Sequence, residues 1–412
     1  MEDERPHRVF LHRDSRLLIV LMGALTTVGP FTTDTYLPSM PAIREHFGVD
    51  MAAVQLTLSL AFLGGAIGQL FYGPLSDRFG RRPVLLGGLV LYVGASLGCL
   101  FAQTIDQLVV ARFLQSFGSI AAPVLARAMV RDLHEREAAA RVLSLMGIVL
   151  GLGPILAPII GGVLQAHYDW HASFVFIIVY GVVLLACVAL FLGESVRVKD
   201  TEAIQPIRLL ETFVALTRSR VFLGYALVNC FLFGGLGAYL SGISFVIVEV
   251  LEVPMQFFGL VFGAIMLGNI SGYALAGRIV PRLGLDRTLE FGTRGVAIAG
   301  LLLAGFAFSG VVHVATLVLP MMLYMCSLAL SAPQAIAGAL TPFPRTAGAA
   351  SSLVGFLQST TSALVGMGVA VAFDGTPRAL AGFVCVMGVL TFLAYRFVVR
   401  RIPEEERRRV AA

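Results

Sequence analysis

The chain has 412 residues, of which 57% are hydrophobic and only 13% charged, against about 25% charged in an ordinary soluble domain. With a mean hydropathy of +0.86, so few charges cannot cover a soluble surface without large exposed apolar patches. The net charge of +5 comes without a basic stripe interleaved with aromatics, so a soluble enzyme, a DNA binder and a disordered scaffold are all excluded.

Residues 1–16 are polar and carry Arg5, Arg8, Arg13 and Arg16. They run into an apolar stretch, Leu17 to Pro38, that is too long for a signal-peptide core and lacks a convincing cleavage site. It reads as a retained first span. A helix needs about 20 apolar residues to cross a hydrocarbon core of roughly 30 Å. By that measure spans follow at 17–38, 53–73, 84–102, 107–130, 140–164 and 172–192. Beyond a polar segment, six more follow at 221–248, 257–280, 288–308, 312–336, 348–371 and 379–399. The runs are long and continuous, whereas a barrel would show short alternating segments.

The expected fold is therefore an all-α membrane protein with twelve transmembrane helices in two six-helix, pseudo-symmetric bundles around a central cavity. The bundles are 1–192 and 220–412, joined by a central linker at 193–219. Gly68-Gln69 followed by Arg78 aligns, 200 residues on, with Gly268-Asn269 followed by Arg278. Duplication would place a pseudo-twofold axis along the membrane normal; chance similarity in glycine-rich sequence is the alternative. The cysteines at 99, 187, 230, 326 and 385 lie in apolar runs outside any CxxC or Cys/His pattern. They read as buried free thiols, with no metal site.

Lys199 is the one lysine, and all but three basic residues fall in one set of alternate loops and tails. Arg44, Arg112 and Arg378 are the exceptions. The positive-inside rule then puts both termini and the linker in the cytoplasm. The linker, with Arg197, Lys199, Arg208 and Arg218, reads as a tether or as an amphipathic surface helix. Glu249 and Glu252 read as solvated, and Glu404 to Arg409 as a solvated tail.

The turn after span 2 reads Gly73-Pro74-Leu75-Ser76-Asp77-Arg78-Phe79-Gly80-Arg81-Arg82-Pro83. A topogenic turn accounts for its glycines and arginines but not for Asp77. The run resembles the signature loop of the major facilitator superfamily. Arg112-Phe-Leu-Gln115-Ser-Phe-Gly118 resembles that family's span 4 motif, and Gly151-Leu-Gly153-Pro154 with Pro158-Ile-Ile-Gly161-Gly162 its span 5 antiporter motif. Asp34-Thr-Tyr-Leu37-Pro38 is similar to the bicyclomycin/chloramphenicol-resistance branch of the twelve-span drug/proton antiporters. The motifs cover the N-terminal half, and the second half matches in span count and in a degenerate loop without an Asp77 equivalent.

The resemblance implies a cytoplasmic gate of Asp77, Arg78, Arg81, Arg82 and Asp132. Asp77 would cap a facing helix, and Arg81 or Arg82 would reach Asp132 at the end of span 4, a bistable contact of the kind switching needs. It also implies an export direction through Gly147, Gly151, Gly153, Pro154, Pro158, Gly161 and Gly162 in span 5. Those glycines equally permit plain helix packing.

Asp34 is the one carboxylate well inside an apolar span away from a cytoplasmic loop. A carboxylate at that depth costs several kcal/mol unless paired, protonated or facing water, so it is a functional candidate. Arg112 lies at a similar depth in span 4 and is its expected partner. Together they serve either proton coupling or a static ion pair. Some multidrug relatives carry a second acid two turns earlier in span 1; here that position is near Thr26, which favours neutral or zwitterionic drugs. Tyr225, Asn229, Phe233 and Leu236 recur at helical spacing in span 7, with Tyr239 beyond them, and Gln334 and Gln358 lie in spans 10 and 11. With Asp34 and Arg112 they are the candidate substrate cavity, or alternatively helix packing.

The expected function is proton-coupled export of small amphiphilic drugs of phenicol or bicyclomycin type. Alternatives are export of a native metabolite or siderophore, and a non-transporting membrane receptor. No nucleophile triad, phosphate loop or metal cluster points to an enzyme. The expected partners are the drug, protons and the lipid bilayer, with no cofactor beyond the proton gradient. The expected setting is a monomer in a bacterial cytoplasmic (inner) membrane.

Overall fold

The structure, a computed structural model, describes residues 15–134, 136–196, 206–343, 346–403 and 405. The basic residues Arg5, Arg8, Arg13, Arg197, Lys199 and Arg345, and the tail positions Glu404 and Glu406 to Arg409, lie outside the described residues. Among the described residues every regular element is a helix.

Span 1 is jointed into Arg16–Thr26, Val28–Asp34, a short turn of 3-10 helix at Leu37–Ser39, and Met40–Phe47. Pro30, Pro38 and Pro41 each remove a backbone donor and interrupt the ladder. Span 2 is Met51–Phe79, span 3 Arg81–Leu100, and span 4 the pair Ile105–Ser119 and Ala121–Leu133. Span 5 is Arg136–His167 and span 6 Trp170–Phe191. A linker helix, Pro206–Arg218, leads into span 7, Arg220–Phe245. Spans 10, 11 and 12 are Val314–Leu340, Ala347–Ala372 and Arg378–Phe397.

Among the described residues eleven helices are long and apolar enough to cross a membrane, one fewer than the sequence reading. The difference lies in Met255–Phe308, a run of 54 residues. At about 1.5 Å per residue it is more than twice as long as the hydrocarbon is thick. Gly284, at φ 79° and ψ 172°, breaks it into two spans. The expected polar turn between spans 8 and 9 is thus a single glycine, in a conformation that other residues rarely adopt. Twelve spans result.

Span 2 packs along span 11, and span 5 against span 8, which brings the two sets of six together. One face of the molecule carries Arg78, Arg131, Arg282 and Arg400 at span ends; it is called the basic face below. On the opposite face the halves are bridged. Arg44 donates from Nη1 to Glu249 Oε2 at 2.9 Å, and its guanidinium carbon lies 5.8 Å from the Phe245 ring centroid. Gln55 Nε2 donates to the Ser241 carbonyl at 2.8 Å, about two turns deeper along span 7. Glu249, expected to be solvated, is therefore held in an ion pair, because Arg44 is delivered to it from the other half. All five cysteines are free thiols.

Candidate functional site

A cavity of about 340 Å³ lies between the halves, lined from spans 1, 2, 4, 5, 7, 8, 10 and 11. Its walls are chiefly apolar, with Phe62, Leu236, Phe262, Met266 and Met325 contributing. Asp34 is its sole charged group among the described residues. The carboxylate is 6% exposed and makes no hydrogen bond or ion pair among the described residues.

Arg112 does not meet Asp34. It is fully buried, donating from Nη1 to the Thr32 carbonyl at 3.0 Å and to Gln115 Oε1 at 2.6 Å. Its guanidinium carbon sits 4.3 Å from the Tyr36 ring centroid, a cation–π contact worth about 2 kcal/mol where water is excluded. The expected pairing fails for a reason of helical phase. Thr32 and Tyr36, four residues apart, share the face that holds Arg112. Asp34 is two residues on from Thr32, about 200° round a helix, and so faces the cavity instead. Gln115 donates in turn to Ser96 Oγ at 2.8 Å, and Thr32 Oγ1 lies 2.9 Å from the Tyr92 hydroxyl. Arg112 is thus the centre of a network tying spans 1, 3 and 4 together, outside the cavity.

The signature run is almost wholly helical. Asp77, Arg78 and Phe79 finish span 2, Arg81 starts span 3, and Gly80 alone connects them at φ 108°. That tight junction turns Arg81 back over span 2, where Nη1 pairs with Asp77 and Nε donates to Asp132 Oδ2 at 3.0 Å. Arg82 donates to the Ala189 carbonyl at 2.8 Å, and Arg78 lies over the Phe79 ring. The expected cap on a facing helix is not made. Among the described residues span 11 starts without a side-chain cap, and a cavity of about 350 Å³ on the basic face, lined by Asp77, Arg81, Gly348 and Ser352, separates the two elements. Asp77 is held by Arg81 instead, one helical turn away.

Glu194, just beyond span 6, was missed by sequence reasoning. Its Oε1 accepts the backbone N–H of Arg81 at 2.9 Å, Ser195 at 2.9 Å and Val196 at 3.0 Å, and Oε2 accepts that of Arg82 at 3.2 Å. It thereby satisfies donors left open at the start of span 3. Ser195 Oγ also donates to Asp132 at 3.0 Å. The available signal was an acid set among arginines at the end of an apolar run.

In span 5, Gly161 packs directly against the Thr35 backbone, Gly153 faces Pro30, and Gly162 approaches the Met255 carbonyl. A side chain at Gly147 or Gly151 would meet nothing within 4 Å among the described residues, so close packing does not extend to them. Pro154 lines the cavity, while Pro158 lies in the same helix.

Of the cavity candidates, Asp34, Leu236 and Gln358 line the space. Tyr225 donates to Asp286 at 2.9 Å near the basic face, and Tyr239 is fully buried with its ring 5.6 Å from that of Phe262. Asn229 is fully buried and donates to Gln358 at 2.8 Å. Phe233 packs against the core, and Gln334 is buried in span 10. The stripe stays on one face, since steps of four, four and three residues bring Leu236 within about 20° of Tyr225 round the helix; its members differ in depth, Leu236 lying about 16 Å along the axis from Tyr225, and of the four only Leu236 lines the cavity.

A family model described as Major Facilitator Superfamily matches residues 22–366. An uncharacterized MFS-type transporter of Bacillus subtilis is 34% identical over 384 residues, covering 91% of this chain and 94% of its own. A bicyclomycin resistance protein homolog of Haemophilus influenzae is 29% identical over 394 residues, with 93% and 96% covered. Among solved structures, a D-xylose–proton symporter superposes with a TM-score of 0.75 at 18% identity, covering 96% of this chain and all of that one.

Proposed function

This chain belongs to the Major Facilitator Superfamily, and from that premise we propose that it is a proton-coupled antiporter exporting small amphiphilic drugs by alternating access. Membership makes it a multi-pass membrane transporter of small molecules rather than an enzyme, with relatives that include a bicyclomycin resistance protein homolog. The proposal adds the coupling ion, the drug class and the orientation. The basic face lies in the cytoplasm, the membrane is a bacterial inner membrane, and the monomer is the working unit. Residues 1–192 and 220–412 move as two bundles on the tether 193–219.

One observation supports the coupling above others: Asp34 is a carboxylate with no hydrogen bond or ion pair among the described residues, facing a mostly apolar cavity between the halves. An acid so placed can exchange a proton with whichever side the cavity opens to. In the cycle we propose, protonated Asp34 gives its proton to the cytoplasm as the drug binds. The loaded carrier turns outward, releases the drug, and takes a proton from outside. Each proton moving inward supplies about 2.3 kcal/mol per 100 mV, enough for a gradient of more than tenfold. Arg81, with Asp77 and Asp132, forms the contact that rearranges at the cytoplasmic side. Arg44–Glu249 and Gln55–Ser241 hold the outer side shut in this state.

The test is chloramphenicol transport in proteoliposomes driven by an imposed pH gradient. Wild type should accumulate the drug against its gradient, and Asp34→Asn should bind it without gradient-driven accumulation. Full coupled transport by Asp34→Asn would overturn the assignment.

A further inference from the structure

Gly68 and Gly268, the pair 200 residues apart in the sequence, occupy matching places in the fold. A side chain at Gly68 would meet Ile120 and the Phe117 carbonyl of span 4; one at Gly268 would meet the Met322 carbonyl of span 10. Spans 2 and 8 therefore press on spans 4 and 10 through equivalent glycines. The next residue, about 100° round each helix, is Gln69 in one half and Asn269 in the other, and both line the central cavity. The repeat therefore delivers two carboxamides to one space from opposite halves.

Span 11 adds a third. Gln358 lines the cavity, and its Oε1 accepts from Asn229 Nδ2 at 2.8 Å. With the oxygen engaged, the NH2 group is left as the cavity-facing end of that amide. Asn229 is fully buried and its Oδ1 has no hydrogen-bond partner among the described residues, so the bond to Gln358 is what its amide makes there. Gln69 reaches across to span 11, where its Oε1 lies against Gly355 and its Nε2 is 3.4 Å from Ser359 Oγ.

Thr33, Ser116 and Ser359 also bring hydroxyls to the lining, so the amides share the donor role with them. Ser119 spends its hydroxyl proton on the Ser116 carbonyl at 2.9 Å, and Asp34, when ionised, only accepts. The cavity thus has two poles, a carboxylate on span 1 and amide N–H groups on spans 8 and 11.

We propose that Asn269 and Gln358, with Gln69 beside them, form a specificity-determining subsite that binds a carbonyl oxygen of the transported molecule. Asn229 is the positioning residue that presents the Gln358 NH2 group. This rests on the drug-exporter reading and adds a requirement to it: an acceptor at one end of the substrate and a donor or cation for Asp34 at the other. An amphiphile without a carbonyl engages only the second pole.

The test is equilibrium binding to the full-length protein in lipid nanodiscs with two probes: chloramphenicol, which carries an amide carbonyl, and tetraphenylphosphonium, which has no hydrogen-bonding group. In Gln358→Leu the chloramphenicol Kd should rise about tenfold, the effect of losing one hydrogen bond, with a much smaller change for tetraphenylphosphonium. Gln358→Glu keeps the acceptor for Asn229 and removes the donors, so it should reproduce the selective loss even where the leucine variant folds poorly. Asn229→Leu should weaken chloramphenicol selectively, and by less. Equal weakening of both probes would make the amides purely structural, and unchanged chloramphenicol binding in both Gln358 variants would overturn the subsite outright. Wild-type binding and export of tetraphenylphosphonium without chloramphenicol binding sinks the subsite and leaves the exporter standing. Binding and export of neither probe sinks both.

Discussion

Arg112 stacks on Tyr36 at 4.3 Å, while Asp34, two residues before that tyrosine, faces the central cavity. The two charges that the sequence offers as one site are divided between two tasks. One braces spans 1 and 4; the other meets whatever occupies the cavity.

That division predicts opposite behaviour for two substitutions. Arg112→Ala strips charged donors from the Thr32 carbonyl and Gln115 and empties the space over Tyr36. It should cost about 2–5 kcal/mol of stability, read as a clear fall in Tm in detergent. Asp34→Asn breaks no bond and should leave Tm almost unchanged. A larger fall for Asp34→Asn would contradict the arrangement.

Glu194 accepts four backbone N–H groups, and through two of them, those of Arg81 and Arg82, it anchors the start of span 3. Glu194→Gln keeps an oxygen where three of the four donors point, and Glu194→Ala keeps none. Hydrogen exchange at the Arg81 and Arg82 amides should therefore quicken modestly in the glutamine variant and by about tenfold or more in the alanine variant. Equal exchange in both would remove the anchor.

The outer bridge is partly exposed, Arg44 at 38% and Glu249 at 28%, so its strength is discounted for solvent to about 0.5–1 kcal/mol. Arg44→Ala should raise the outward-open population by roughly two- to fivefold, measured as a spin-label distance across the outer ends of spans 1 and 7. The reversed pair, Arg44→Glu with Glu249→Arg, should restore the distribution. No shift in the single variant would mean that the pair carries no gating energy.

The span 5 glycines should separate cleanly. Gly161→Ala drives a methyl into the Thr35 backbone, which cannot yield as a side chain would, whereas Gly151→Ala meets nothing within 4 Å. The first should cost about 1–3 kcal/mol and reduce folded yield. The second should be tolerated, as judged by size-exclusion profile and Tm.

What the sequence could and could not convey follows from the kind of information each feature needs. Span positions were legible because hydrophobic length is a local property; only the bounds moved, as when span 2 ran on to Phe79 and absorbed most of the signature run. Depth was legible too, which is why Asp34 and Arg112 could be placed at one level. Azimuth was not: whether a residue faces a neighbour or a cavity depends on phase carried through the jointed helix at Val28–Asp34. Partners across the two halves were also out of reach. Nothing local to Arg44 or Glu249 says that the other stands opposite. Glu194 shows a third limit, since its partners are backbone N–H groups, which every sequence has.

The break at Gly284 has a mechanical consequence. A single residue joins spans 8 and 9, so the two have no slack with which to slide or part. Span 8 carries Phe262, Met266 and Asn269 on the cavity wall, and it meets span 9 at a glycine pivot with no loop between them. The pivot lies at the basic face, beside Asp286, which accepts from Tyr225 of span 7 and whose carbonyl accepts from Tyr395 of span 12. The junction is thereby tied to spans 7 and 12 on the basic face, opposite the Arg44–Glu249 bridge.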